Sequence, residues 1–109
     1  MMAIFDASTL EVVCQGLGFA EGPVAMPDGT ILLVDIKKEC VTRVRADGSQ
    51  ELVAKVPGGP NGAAIGPDGR VYICNNGGFD WTAMPLPSGQ IITVGEHQAA
   101  NYEGGSVQA

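Results

Sequence analysis

EGPVAMPDGTILLVDI (Glu21–Ile36) and NGAAIGPDGRVYICNN (Asn61–Asn76) superpose without a gap when Glu21 is laid on Asn61. Gly22 falls on Gly62, the Pro-Asp-Gly of 27–29 falls on that of 67–69, and the apolar run 31–34 falls on 71–74. Each copy is a hairpin with a mechanism. Proline presets φ at the second turn position, and glycine accepts the left-handed conformation that closes the turn. Ala46-Asp47-Gly48-Ser49 supplies a third Asp-Gly turn. The apolar runs between turn signals read as strands at Val24–Met26, Thr30–Asp35, Val41–Arg45 and Glu51–Val56. Ala63–Ile65, Arg70–Cys74, Ser106–Ala109 and the N-terminal Leu10–Val13 read the same way.

A four-stranded antiparallel meander that recurs at a fixed interval of this length is the pattern of a β-propeller blade. One meander cannot bury both faces of its sheet, so blades stack. The near-continuous run Ile31-Leu32-Leu33-Val34 suits a strand covered on both sides. A β-sandwich also gives evenly spaced strands, but it does not demand a gapless match between meanders. A solenoid usually has a shorter period. The expected fold is therefore all-β, with one full blade and part of a second. Residues 1–20 form an N-terminal strand and lead-in, 21–60 the first blade, and 61–109 an incomplete second blade. Val41 follows Glu21 as Val107 follows Asn61, but the second interval is more than twice the first. The second copy thus carries an insertion, expected at 77–104. The chain reaches Ala109 inside what reads as a third strand, so the expectation is an N-terminal piece of a longer propeller.

Bulk composition narrows the partners. The 109 residues include 12 acidic and 6 basic side chains, a formal net charge of −6. Neither nucleic acid nor an anionic membrane suits that balance, since both need a basic footprint. No segment approaches the roughly 20 apolar residues of a membrane helix. The N-terminus lacks the basic region and apolar stretch of a signal peptide. Three cysteines, Cys14, Cys40 and Cys74, are an odd number without a zinc or redox spacing. They read as free thiols in a reducing cytoplasm, with Cys74 in the core. Sixteen glycines and seven prolines leave no long helical period.

Topology selects the functional face. In a meander, the start of the first strand and the connection between the second and third lie at one end. Glu21, Asn61, Lys37–Glu39 and the insertion therefore share a rim, and the Asp-Gly turns share the opposite one. A carboxylate and an amide oxygen at neighbouring strand starts are hard donors, suited to Ca²⁺, Mg²⁺ or Mn²⁺ and tolerable to Zn²⁺. A solvated Glu before Gly-Pro and a turn Asn before Gly are the structural alternatives. Asp35, Asn75 and Asn76 end strands on the same rim, where capping the loop is their expected role. His97 and Trp81, with Phe79, sit in the insertion, which is placed to act as a lid. Their alternatives are solvent exposure for His97 and packing against the second blade for the aromatics.

These residues carry a resemblance. EGPVAMPDGTILLVDI, followed by GGPNGAAIGPDGRVYICNNGG, resembles the first two blades of the regucalcin/gluconolactonase family, over roughly residues 10–109. The resemblance implies a six-bladed propeller with one divalent cation in its central channel, hydrolysing sugar lactones or related esters. Glu21 matches the family's first-blade metal ligand, and the remaining ligands and the general base lie in later blades. Asn61 is assigned by the same resemblance to the substrate pocket or the rim. His97 and Trp81 are further candidates for substrate contact. No catalytic residue is assigned. Two other classes stay open: a non-catalytic propeller used as an interaction platform, and a strictosidine-synthase-like propeller. A chain of this extent is expected to self-associate through exposed blade edges.

Overall fold

The structure is a computed structural model describing residues 6–109. After a single 3-10 turn at Ala7–Thr9, every regular element is a strand. The first sheet holds β1 (Ala20–Ala25), β2 (Ile31–Asp35), β3 (Cys40–Val44) and β4 (Gln50–Lys55), in that order. The second holds β5 (Pro60–Ile65), β6 (Val71–Asn75) and β9 (Ser106–Gln108). Between β6 and β9 a separate hairpin forms from β7 (Phe79–Pro85) and β8 (Ile91–Gln98). All pairs are antiparallel. These are propeller blades, one of four strands and one of three, and among the described residues they do not close into a ring.

The sequence repeat persists bond by bond. Met26 N donates to Thr30 O at 2.8 Å, and Gly66 N donates to Arg70 O at 2.9 Å. Ile36 N donates to Phe19 O at 2.9 Å, and Asn76 N donates to Gly59 O at 2.8 Å. The turn aspartates repeat as well. Asp28 Oδ1 accepts from Thr30 N at 2.9 Å and Asp68 Oδ1 from Arg70 N at 3.1 Å. Identical turn chemistry thus builds identical hairpins in the two blades.

The core lies between the sheets. Leu32, Val34, Val41 and Val56 of the first sheet pack with Ile73 of the second, each 7% exposed or less. Val24, Met26, Ala63 and Val71 close its inner edge. β2 and β3 are buried on both faces, as the unbroken apolar run requires, whereas β4 is exposed along its length.

Two expectations are corrected. Leu10–Val13 forms no strand; it lies beside the first sheet with Leu10, Val12 and Val13 exposed, and among the described residues no strand pairs with it. Cys74 is exposed rather than core. It projects from the face of β6 turned away from the first blade, which no further sheet covers among the described residues. The insertion is a hairpin whose Leu86-Pro87-Ser88-Gly89 turn repeats the blade turn, with Leu86 N donating to Gln90 O at 2.7 Å. All three cysteines are free, Cys40 buried and Cys14 half-buried. No helix among the described residues is long and apolar enough to cross a membrane.

Candidate metal and substrate site at the blade rim

The innermost strands of the two blades touch at their starts. A Cβ built on Gly22 would stand 2.8 Å from Ala63 N and 3.0 Å from Gly62 Cα. Only glycine permits that approach, and Gly22 also holds φ at +52°. Both strands carry an irregularity at this level: the register of β1 shifts between Glu21 and Val24, and that of β5 between Pro60 and Gly62. Bulges re-aim side chains and are common beside functional sites. Glu21 pairs with Val34, and directly opposed residues share a face. Val34 belongs to the core cluster packed with the second blade. Asn61 is the extra residue of its own bulge, and both side chains are exposed.

Two buried polar side chains staple this rim. The carboxylate of Asp35, fully buried, accepts from Gly18 N at 2.7 Å, Phe19 N at 2.9 Å and Lys38 N at 3.0 Å. Burial pushes its pKa up. The backbone donors Gly18, Lys38 and Phe19 and the Lys38 charge together outweigh that, holding the carboxyl below the ordinary aspartate value. Asn75 occupies the same place one repeat later. Its Oδ1 accepts from Gly59 N and Gly77 N, each at 2.9 Å, and its Nδ2 donates to Pro57 O at 2.8 Å. The capping role expected for both residues is what the structure shows. Asn76 caps likewise, its Oδ1 accepting from Gly78 N at 2.9 Å.

The inserted hairpin leans onto the first blade. Trp81 packs on Phe19 at a tilt of 43°, 5.5 Å between ring centroids, and meets Phe79 edge-on at 5.8 Å. Lys37 Nζ donates to Thr93 Oγ1 at 3.3 Å, a second tie from the first blade to the hairpin. Trp81 therefore packs against the segment leading into β1 rather than against the second blade. Phe19 is a rim residue that sequence reasoning missed; a lone aromatic before Ala-Glu-Gly-Pro carries no periodic signal. The hairpin itself was findable, since Pro-Ser-Gly between two apolar runs is a turn signature. Asp80 and His97 are paired across β7 and β8, with the His97 side chain 73% exposed.

A repeated blade with a rim glutamate, a matching asparagine and a hairpin between its second and third strands can be compared with known proteins. The sequence model of the SMP-30/gluconolactonase/LRE-like region matches residues 19–104. The chain belongs to that family. The match begins at Phe19, the residue on which Trp81 packs, and spans the hairpin completely. Among curated proteins none matches the chain. Metal dependence is general in the SMP-30/gluconolactonase family, and the rim donors suit it in kind. Glu21 takes part in none of the ion pairs among the described residues, and Asn61 offers a neutral oxygen beside it. Both are hard oxygen donors of the sort a divalent cation takes. Their number is small: no group of three His, Cys, Asp or Glu converges among the described residues.

The aromatic contact provides a direct check. Trp81 is the only tryptophan, so its emission reports the docking of the hairpin. Phe19→Ala is expected to red-shift that emission while leaving the far-ultraviolet circular dichroism of the sheets unchanged. An aromatic pair contributes about 1 kcal/mol beyond its buried area, too little to unfold the blades. An unshifted spectrum would place Trp81 elsewhere than on the first blade.

Proposed function

We propose that this chain forms the metal-binding rim of a divalent-cation-dependent hydrolase acting on sugar lactones or related esters. The observation that carries the reading is the placement of Glu21 and Asn61 at matching positions of adjacent, bulged strand starts, within a chain of the SMP-30/gluconolactonase/LRE-like family. Glu21 supplies the charged oxygen ligand, and Asn61 supplies a neutral oxygen to metal or substrate without crowding a second carboxylate beside the first. Glu21 and Asn61 would hold a Ca²⁺, Mg²⁺, Mn²⁺ or Zn²⁺, which when bound would supply Lewis acidity toward an ester carbonyl. Phe19, Trp81 and Phe79 give the rim an apolar wall for the non-reacting face of a sugar ring. Trp81 and His97, both on the hairpin, are the substrate contacts of this reading. The cytoplasm is the compartment that suits three free thiols.

The test is Glu21→Gln in a complete propeller carrying this segment, since two donors leave most positions around a calcium ion to water. The substitution keeps the shape and removes the charge. Affinity for Ca²⁺, Mn²⁺ or Zn²⁺, followed by isothermal titration, is expected to fall about 100-fold, because even partners one shell out are worth 10- to 100-fold. Lactone hydrolysis in a pH-stat should fall with it. If both are unchanged, Glu21 only solvates the rim, and a non-catalytic interaction platform becomes the reading to keep.

A further inference from the structure

One residue of the rim stands in a conformation its type avoids. Glu39, in the loop from β2 to β3, holds φ at +54°, and among the described residues it is the one non-glycine with a positive φ. The second blade shows the ordinary solution. Ser106 faces Asn75 as Cys40 faces Asp35, so Gly104-Gly105 enters β9 as Lys38-Glu39 enters β3. There the left-handed place, Gly104 at φ +100°, is filled by glycine. Asparagine and aspartate reach this region through local side-chain bonds, and glutamate is a less usual occupant. Strain of this kind persists only where the surroundings hold it, and it gathers at working sites.

Two bonds hold Glu39 there, and both run to the segment that leads into the second blade. Val56 N donates to Glu39 O at 2.8 Å, extending the β3–β4 ladder one residue beyond Cys40 and Lys55. Gly58 N donates to Glu39 Oε1 at 2.7 Å. The carboxylate takes part in none of the ion pairs among the described residues, so it serves that backbone donor and no cation of the chain. The same segment is gripped from the other side. Asn75 Oδ1 accepts from Gly59 N at 2.9 Å, Asn75 Nδ2 donates to Pro57 O at 2.8 Å, and Asn76 N donates to Gly59 O at 2.8 Å. Residues 57–59 are thus a strip clamped twice, by Glu39 to the first sheet and by Asn75 and Asn76 to the second. Gly58, at φ +107°, fits so closely that a Cβ there would stand 2.6 Å from Asn75 Oδ1.

Asn61 follows this strip directly. It is the extra residue between the Pro60–Asn75 and Gly62–Cys74 pairs, so no partner across the sheet fixes it. Its place is set by the backbone on either side. On one side Gly62 meets Gly22 of the first blade, and on the other Pro60 continues the clamped strip. We infer that Glu39 is a positioning residue for Asn61. It keeps a left-handed backbone so that its carboxylate reaches Gly58 N and fixes the entry to β5 against the first blade, where Glu21 stands. Asn75 and Asn76 cannot do this, because they tie the strip to its own blade alone. Glycine at 39 would suit the backbone better but has no oxygen to offer. Local preference yields at this position to the placement of a rim residue. The consequence for a bound cation rests on the proposed rim chemistry; the placement of Asn61 does not.

Two substitutions separate the bond from the strain. Glu39→Gly removes the carboxylate and relaxes the backbone, whereas Glu39→Gln keeps an acceptor oxygen at the same reach. In Glu39→Gly the Gly58 amide is expected to exchange with solvent about tenfold faster, the worth of one bond to a charged acceptor. The backbone and side-chain amide signals of Asn61 in NMR should shift, while those of the core residues Leu32 and Val41 stay in place. The urea midpoint should remain near the native one, because relieved strain offsets the lost bond. Glu39→Gln should restore both the slow exchange and the native Asn61 signals. In a complete propeller, cation affinity by isothermal titration should fall about tenfold in Glu39→Gly, the lower end of what groups behind a metal's ligands are worth, and recover in Glu39→Gln. Asn61 signals unmoved by Glu39→Gly would overturn the proposal, as would a Glu39→Gln that fails to restore them. A lowered urea midpoint with Asn61 in place would make Glu39 a turn residue and nothing more. Shifted Asn61 signals with unchanged cation affinity would uphold the positioning role and remove Asn61 from the cation site. Glu21→Gln then tells whether the rim binds metal at all.

Discussion

Asp35→Ala is expected to lower the stability of the chain by about 3 kcal/mol or more, a loss visible as a marked fall in its urea midpoint. The carboxylate is fully buried and accepts three backbone N–H donors, from Gly18, Phe19 and Lys38. Hydrogen bonds to a charged group contribute about 1.5–3 kcal/mol each, and removing the acceptor also leaves the donors desolvated. Asp35→Asn separates charge from shape. One oxygen still serves Phe19 and Lys38, but the amide then points N–H against the N–H of Gly18. Its cost should be intermediate, about 2 kcal/mol. Asn75→Ala, at the matching place in the second blade, removes a neutral acceptor and should cost less than Asp35→Ala, about 1–2 kcal/mol.

The same residue predicts an acid limb. Because the folded-state pKa of Asp35 is lowered, its contribution is complete above the unfolded value of about 3.9 and is lost as pH falls below it. Stability of the native chain should therefore decline below about pH 4, and Asp35→Ala should flatten that limb. Function is tied to the staple through position. Asp35 fixes Phe19, Phe19 receives Trp81, and Glu21 follows closely along β1. Loosening the staple should disturb the rim before the core between the blades.

The meander was legible because its turns are chemically explicit. Pro-Asp-Gly and Asp-Gly closures placed every strand of the first blade to within a few residues. The positions of Glu21 and Asn61 at the starts of β1 and β5 followed from the repeat. The N-terminal segment misled because Leu-Glu-Val-Val carries genuine strand propensity, while a strand needs a neighbour and none pairs with it among the described residues. Cys74 misled for a related reason. Val-Tyr-Ile-Cys is continuous and apolar, but exposure depends on whether another sheet covers the outer face, and local sequence does not report that. Phe19 was invisible because its partner Trp81 is remote in sequence, on a hairpin interrupting the repeat.

Gly22 is the position where fold and site cannot be separated. Gly22→Ala is expected to cost about 3 kcal/mol, since it combines two independent penalties. At φ +52° a side chain is strained by about 1–2 kcal/mol. The new Cβ also meets backbone, 2.8 Å from Ala63 N and 3.0 Å from Gly62 Cα, and backbone cannot rotate aside as a side chain would. Overpacking of that kind adds about 1–3 kcal/mol. Gly62→Ala is the internal control. The same repeat position in the second blade has no left-handed φ, and its Cβ would meet nothing nearer than Cys74 Cβ at 3.9 Å. Its cost should stay within about 0.5–1 kcal/mol. Relief of the Gly22→Ala clash requires the starts of β1 and β5 to part, which moves Glu21 away from Asn61. In a complete propeller the substitution should therefore weaken cation binding by isothermal titration even under conditions where circular dichroism still shows folded sheets. If Gly22→Ala and Gly62→Ala cost the same, the two blades do not meet at these glycines, and the rim has no reason to bring Glu21 and Asn61 together.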